Sequence, residues 1–67
     1  MTLLEFLNHI KHKSLSITII DYDGELIMET CVGQYYNMLS RKILDNKKVY
    51  NVTCKENLFI IQLAVSD

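Results

Sequence analysis

The chain has 67 residues with seven basic and eight acidic side chains, a formal net charge of −1, two cysteines and no proline or tryptophan. Near-neutral charge of mixed sign argues against binding to nucleic-acid phosphates, and no apolar run is long enough to span a membrane. A domain this small has a thin core, which disulfides, a metal or a partner subunit usually supplement. Without a signal peptide or linker, we expect residues 1–67 to form one cytoplasmic domain.

The first residues predict a short amphipathic helix. Thr2-Leu3-Leu4-Glu5 matches a capping box, in which the threonine hydroxyl and the glutamate carboxylate satisfy free N–H groups of the first turn. Apolar residues then recur at i, i+3, i+4 and i+7, namely Leu3, Phe6, Leu7 and Ile10. This spacing is typical of a helix that packs one face against a sheet.

Residues 16–32 read SITIIDYDGELIMETCV, two apolar runs joined by Asp23-Gly24. An Asp-Gly pair favours a two-residue type I′ turn, because both residues tolerate a positive φ. The resulting register sets Ile19 opposite Met28 and Ile20 opposite Ile27. Because strand side chains alternate between faces, the predicted core face holds Leu15, Ile17, Ile19, Leu26, Met28 and Val32.

The second half of the chain predicts a short helix and another hairpin. Residues 34–44 carry Tyr36, Leu39 and Ile43 at roughly helical spacing, so we expect this stripe to pack over the sheet. Residues 49–65 are rich in β-branched and aromatic side chains and turn at Glu56-Asn57. The core face predicted for this hairpin holds Tyr50, Val52, Cys54, Phe59, Ile61 and Leu63.

The predicted fold is therefore α+β: an N-terminal helix, a β-hairpin, a short helix and a second β-hairpin. We expect a mostly antiparallel four-stranded sheet with the helices on one face. Apolar side chains also fall on the opposite face, namely Ile20, Ile27, Leu58 and Ile60, with the ring of Tyr22 beside them. A contiguous apolar surface on a small protein usually marks an interface, so this face predicts a homo-oligomer, with a dimer as the first expectation.

Residues that bind metals or perform catalysis are sparse. His9 and His12 are spaced i, i+3, but no further ligands accompany them, so both are interpreted as surface histidines without a metal or cofactor. Cys31 with one of these histidines is the only conceivable catalytic pair, and it lacks an orienting partner. We therefore expect a protein that is not an enzyme. In the predicted registers Cys31 and Cys54 lie on opposite faces, which argues against a disulfide.

Three segments of the chain resemble a group of small uncharacterised phage and prophage accessory proteins of Firmicutes. They are the opening TLLEFLNHI, the strand-turn-strand ITIIDYDGELIMETCVG and the closing LDNKKVYNVTCKENLFIIQL. The resemblance implies a gene carried on a mobile element, and many proteins of this size in that setting counter host defence, among them anti-CRISPR proteins and nucleotide-signal sponges. The patterns specify a fold and transfer no functional residue.

Two hypotheses follow from different surfaces. The first is an inhibitor that binds a host defence protein through the acidic turn of the first hairpin, where charge can steer association with a basic channel. Its residues are Asp21, Tyr22, Asp23 and Glu25. The second is a protein that sequesters a small nucleotide between protomers, using aromatic faces and basic groups. Its residues are Tyr35, Tyr36, Arg41 and Lys42. Direct nucleic-acid binding by the basic second helix is a third alternative, which the net charge disfavours.

Overall fold

A computed structural model of the chain describes residues 1–65. The elements in chain order are α1 (Leu3–Asn8), β1 (Ser16–Ile20), β2 (Leu26–Cys31), α2 (Val32–Tyr35), α3 (Arg41–Leu44), β3 (Val49–Lys55) and β4 (Leu58–Leu63). The α+β class and the helix–hairpin–helix–hairpin order are confirmed, except that two four-residue helices replace the single second helix.

The four strands form one sheet in the order β2-β1-β4-β3. Both hairpins are antiparallel, and they meet through a parallel pairing of β1 with β4, in which Ile17 lies beside Phe59 and Ile19 beside Ile61. The mostly antiparallel sheet is therefore confirmed. Its two central strands, β1 and β4, are the first and the last strand of the chain, so the centre of the sheet joins segments that are distant in sequence.

The helices share one face of the sheet and enclose a single apolar cluster. Its buried members are Leu3, Leu7, Ile17, Ile19, Val32, Tyr35, Leu44, Ile61 and Leu63. Helix α1 begins with the predicted capping box: Thr2 Oγ1 accepts from the Glu5 N–H at 3.2 Å, and Glu5 Oε1 accepts from the Thr2 N–H at 2.9 Å. The predicted stripe is confirmed, since Leu3 and Leu7 are fully buried while Phe6 and Ile10 pack at the edge of the cluster.

The turn of the first hairpin differs from the predicted type I′ turn. Asp21 pairs with Glu25 across a three-residue loop, and the Gly24 N–H donates to the Asp21 carbonyl at 3.0 Å. Gly24 has a φ of +89°, whereas Asp23 does not have a positive φ. A loop of this length needs only one left-handed residue, and glycine supplies it.

The extra loop residue shifts the register by one at the end of the hairpin. Ile20 pairs with Leu26, and a bulge at Ile27 restores the predicted pairing of Ile19 with Met28. Because a one-residue slip reverses the direction of every side chain, Leu26 joins the outer face with Ile20 and is 59% exposed. The predicted core position of Leu26 is wrong, and so is the outer-face position of Ile27, which lines a cleft together with the core residues Leu44 and Leu63.

The second hairpin turns at Glu56-Asn57 as predicted, with Asn57 at a φ of 58°. Val52 pairs with Ile61 and Cys54 with Phe59, in the expected register. Two of its predicted core residues are nevertheless exposed. A register shift between Val49 and Asn51 turns Tyr50 outward, and Cys54 lies near the end of an edge strand, where its side chain stays accessible to solvent. Burial on this hairpin is therefore concentrated on the central strand β4.

The predicted stripe of Tyr36, Leu39 and Ile43 is wrong at two of its three positions, since only Tyr36 packs against the apolar cluster. The chain bends after α2, and the second buried set consists of Tyr35 and Leu44, at the start and end of this segment. Leu39 and Ile43 are 83% and 71% exposed. A continuous helix would align these apolar side chains, but two separate turns point them into solvent.

Candidate functional site

The charged side chains of the first hairpin are all acidic, whereas most basic side chains lie elsewhere in the chain. Residues 16–32, which we call the acidic hairpin, hold four of the eight acidic residues and no lysine or arginine. Six of the seven basic residues lie in residues 11–13 and 41–48. The net charge of the chain is near zero, but the charged side chains of this hairpin, at one edge of the sheet, are all acidic.

The hairpin tip, residues 21–25, is held by hydrogen bonds at both ends. The carboxylate of Asp21 accepts from the Glu25 N–H at 2.9 Å, and the Asp21 N–H donates to the Glu25 carbonyl at 2.9 Å. Gln62 Nε2 donates to the Tyr22 carbonyl at 2.9 Å, which ties the tip to β4. The side chains of Asp23 and Glu25 remain exposed, so a fixed loop presents their carboxylates to solvent.

Apolar side chains accompany these carboxylates. Tyr22 packs edge-on against Tyr50, with 5.0 Å between ring centroids and 72° between ring planes, and both rings are exposed. Leu26 and Ile27 follow directly after the tip and are also exposed. An exposed apolar patch rimmed by polar groups is typical of a surface that binds another protein.

A cleft of about 350 Å³ opens beside the tip. It is lined by Asp21, Tyr22, Asp23, Ile27, Leu44, Lys47, Leu63, Ala64 and Val65. Two of these residues, Leu44 and Leu63, belong to the buried apolar cluster, and three, Asp21, Tyr22 and Asp23, belong to the tip. The structure therefore combines three of the four predicted partner-binding residues, Asp21, Tyr22 and Asp23, with an apolar surface, and leaves Glu25 exposed outside this lining.

The residues of the nucleotide hypothesis also lie together, but their groups are engaged within the fold. Tyr35 is buried, and its hydroxyl donates to Asp45 Oδ1 at 2.7 Å. Burial is the larger cause and this hydrogen bond the smaller cause of a raised pKa of the Tyr35 hydroxyl. Arg41 Nε donates to Asp45 Oδ2 at 3.1 Å, and its Nη1 donates to the Tyr36 carbonyl at 2.9 Å. This network closes the segment between α2 and α3.

Tyr36 completes the same network. Its hydroxyl donates to Asn8 Oδ1 at 2.7 Å, and its ring lies 4.7 Å from Lys13 Nζ and 5.1 Å from the Arg41 guanidinium carbon. Such cation–π contacts occupy an aromatic face that a nucleobase would need. Lys42 is exposed beside the network. The arrangement is that of a cluster that stabilises the chain rather than an open platform for a base.

The predicted oligomer surface keeps three of its four residues. Ile20, Leu58 and Ile60 lie on the outer face of the central strands and are half-buried. Leu26 takes the place expected for Ile27, and Tyr50 adds an exposed ring at one end. The outer face therefore remains partly apolar, although hydroxyl side chains such as Thr18 and Thr53 separate its members.

His9 and His12 are exposed, and His9 Nδ1 lies 2.7 Å from the Glu5 carbonyl oxygen. Among residues 1–65, no group of three His, Cys, Asp or Glu side chains lies close enough to hold a metal ion. Cys31 and Cys54 are free thiols. Within the same residues, no helix has the length and apolar character needed to cross a bilayer.

Sequence reasoning missed two parts of the candidate site. Glu29 is the fourth acidic residue of the acidic hairpin and lies opposite Thr18, and a charge count restricted to residues 16–32 would have included it. No pattern in the sequence indicates the cleft. Its lining comes from the hairpin tip, from β2 and α3 and from the end of β4, which only the folded chain brings together. Comparison of the chain with protein-family models, curated proteins and solved structures gave no match.

Proposed function

We propose that this chain is a small non-enzymatic inhibitor that binds a basic surface of a host defence protein through the acidic hairpin. The observation that carries the proposal is the acidic hairpin itself: it has four carboxylates and no basic residue, and it ends in a hydrogen-bonded tip. The resemblance to phage accessory proteins supplies the biological setting, inhibition of a host defence system.

Charge and apolar contact have separate roles in this proposal. Long-range attraction between the carboxylates and a basic patch speeds association and selects against acidic partners. Binding then requires burial of apolar side chains, because exposed ion pairs contribute little on their own. Tyr22 and Leu26 lie beside Asp23 and Glu25 and provide that apolar area.

The rigidity of the tip favours binding as well. Its backbone bonds to Asp21 and Gln62 exist before any partner arrives, so little conformational entropy is lost at the loop on association. A basic groove that normally receives nucleic acid would meet carboxylates at fixed positions. The chain would then act by occupying that groove.

The test expresses the chain in a bacterium that carries a defence system and measures phage plaque formation, together with capture of the defence protein on the tagged chain. We expect the double variant Asp23→Asn, Glu25→Gln, which removes the two exposed carboxylates of the tip, to lose capture and protection of the phage. Capture by the unaltered chain should weaken as salt rises, because screening shortens the range of the attraction.

The matched control is Glu56→Gln, which removes one exposed carboxylate from the second hairpin instead. It should capture the partner as well as the unaltered chain does. Full capture and full protection by the double variant, with its fold intact by circular dichroism, would show that the tip of the acidic hairpin is not the binding surface.

A further inference from the structure

The cleft beside the hairpin tip has two kinds of wall. Ile27, Leu44 and Leu63 form an apolar side, and the last two are continuous with the buried core. Asp21 and Asp23 line the same cleft from the tip. At about 350 Å³, its volume lies at the lower end of ligand sites and suits one long side chain better than a large ligand.

The charge of the lining points to a cation. Among the described residues, Asp21, Asp23 and Lys47 are the charged residues that line the cleft, and their formal charges sum to −1. The carboxylate of Asp21 is held in position by the Glu25 N–H at 2.9 Å. A cationic occupant with an apolar stem would match both walls, since methylene groups pack on aliphatic side chains while the charged end meets carboxylates.

We propose that this cleft binds an arginine side chain of the protein partner, an inference that rests on the proposed function. Its methylene groups lie against Ile27 and Leu63, and its guanidinium group meets Asp21 and Asp23. Arginine fits better than lysine, because a planar guanidinium binds carboxylates through two parallel hydrogen bonds and is less strongly hydrated than an ammonium group. Arginine is also among the residues that dominate binding energy at protein interfaces.

The direct test titrates the isotope-labelled full chain with the peptide acetyl-Gly-Leu-Arg-Leu-Gly-amide and follows backbone amide resonances. Saturable shifts are expected at Asp23, Ile27 and Val65. A peptide with citrulline in place of arginine has the same shape without the charge, and it should bind at least ten-fold more weakly. Equal affinity for both peptides, or shifts confined to other surfaces, would overturn the proposal.

Two variants of the protein separate the two walls. Asp23→Asn removes a carboxylate from an exposed loop position, and Ile27→Ser removes apolar wall while keeping every charge. Each should weaken binding of the arginine peptide at least five-fold. Leu39→Ser is the matched control, because Leu39 is an exposed apolar side chain outside the cleft. This variant should bind the arginine peptide as the unaltered chain does. Unchanged affinity in Asp23→Asn or Ile27→Ser would contradict the assignment.

Ile27→Ser also distinguishes this inference from the proposed function. If it captures the defence protein and protects the phage fully, the acidic hairpin is the binding surface and the arginine cleft is wrong. If the unaltered chain captures no partner yet the arginine peptide binds the cleft selectively, the cleft assignment stands and the proposed function fails.

Discussion

Gly24 is the single residue whose backbone decides the shape of the hairpin tip. Its φ of +89° is left-handed, and an added Cβ would meet nothing within 4 Å. The effect of Gly24→Ala is therefore backbone strain alone, and we expect a loss of about 1 kcal/mol in the free energy of unfolding. Urea denaturation measures it. The stability of Gly24→Asn should fall between those of the unaltered chain and Gly24→Ala, since asparagine adopts a left-handed backbone more readily than alanine. Equal stability of the unaltered chain and both variants would contradict the observed turn.

Glu5, in the capping box of the first helix, makes the stability of the fold depend on pH. Hydrogen bonds from the Thr2 backbone N–H and with the Thr2 side chain lower the pKa of its carboxyl below the ordinary value of 4.5. Ionised Glu5 therefore stabilises the fold above the pKa of the unfolded chain, and this contribution is lost as pH falls through the lower folded pKa. We expect the stability difference between the unaltered chain and Glu5→Gln to be largest near neutrality and to shrink in acid. Thermal unfolding across a pH series tests this, and a difference independent of pH would exclude it.

At the scale of elements, the segment between β2 and β3 shows why spacing alone misplaces side chains. Tyr36, Leu39 and Ile43 have helical spacing, but the chain forms two separate turns, α2 and α3. Hydrogen bonds from Tyr35 and Arg41 to Asp45 fix this bend. Propensity and periodicity contain no information about such side-chain bonds between turns. The exposure of Leu39 and Ile43 therefore could not be predicted from the sequence.

Neighbouring residues of α3 give a matched pair of variants. Leu44 is buried at 7% exposure, whereas Ile43 extends into solvent. We expect Leu44→Ala to cost at least about 2 kcal/mol in the free energy of unfolding, through lost burial and a cavity, and Ile43→Ala to change it by less than about 0.5 kcal/mol. Chemical denaturation of both variants measures the difference. A larger loss of unfolding free energy in Ile43→Ala than in Leu44→Ala would contradict this arrangement and support a buried helical stripe that contains Ile43.

The whole molecule joins its two hairpins through one parallel pairing. Residues 16–20 pair with residues 58–62, so the centre of the sheet forms only when distant parts of the chain meet. Only nine apolar side chains of the described residues are buried, a small core for a sheet open on its outer face. Such proteins commonly gain stability from association.

We therefore expect self-association through the outer face, around Ile20, Leu58 and Ile60. Light scattering should give twice the monomer mass of 7.8 kDa at high micromolar concentration, and Ile60→Lys should return the mass to that of the monomer. Leu39→Lys is the matched control, because it places a lysine at an exposed apolar position away from the sheet. A monomer at all concentrations would disprove the expected dimer.

The sequence by itself determined the features that depend on neighbouring residues. The capping box, the stripe of α1, the two hairpins and the Glu56-Asn57 turn follow from local hydrogen bonding and alternation. Only the tertiary structure decided the parallel joining of β1 with β4, the positions of Leu26 and Ile27, and the cleft. These depend on a compensating bulge and on contacts between distant segments, which carry no local pattern. The acidic hairpin belongs to both: its charges were visible in the chain, but the apolar cleft beside them exists only in the fold.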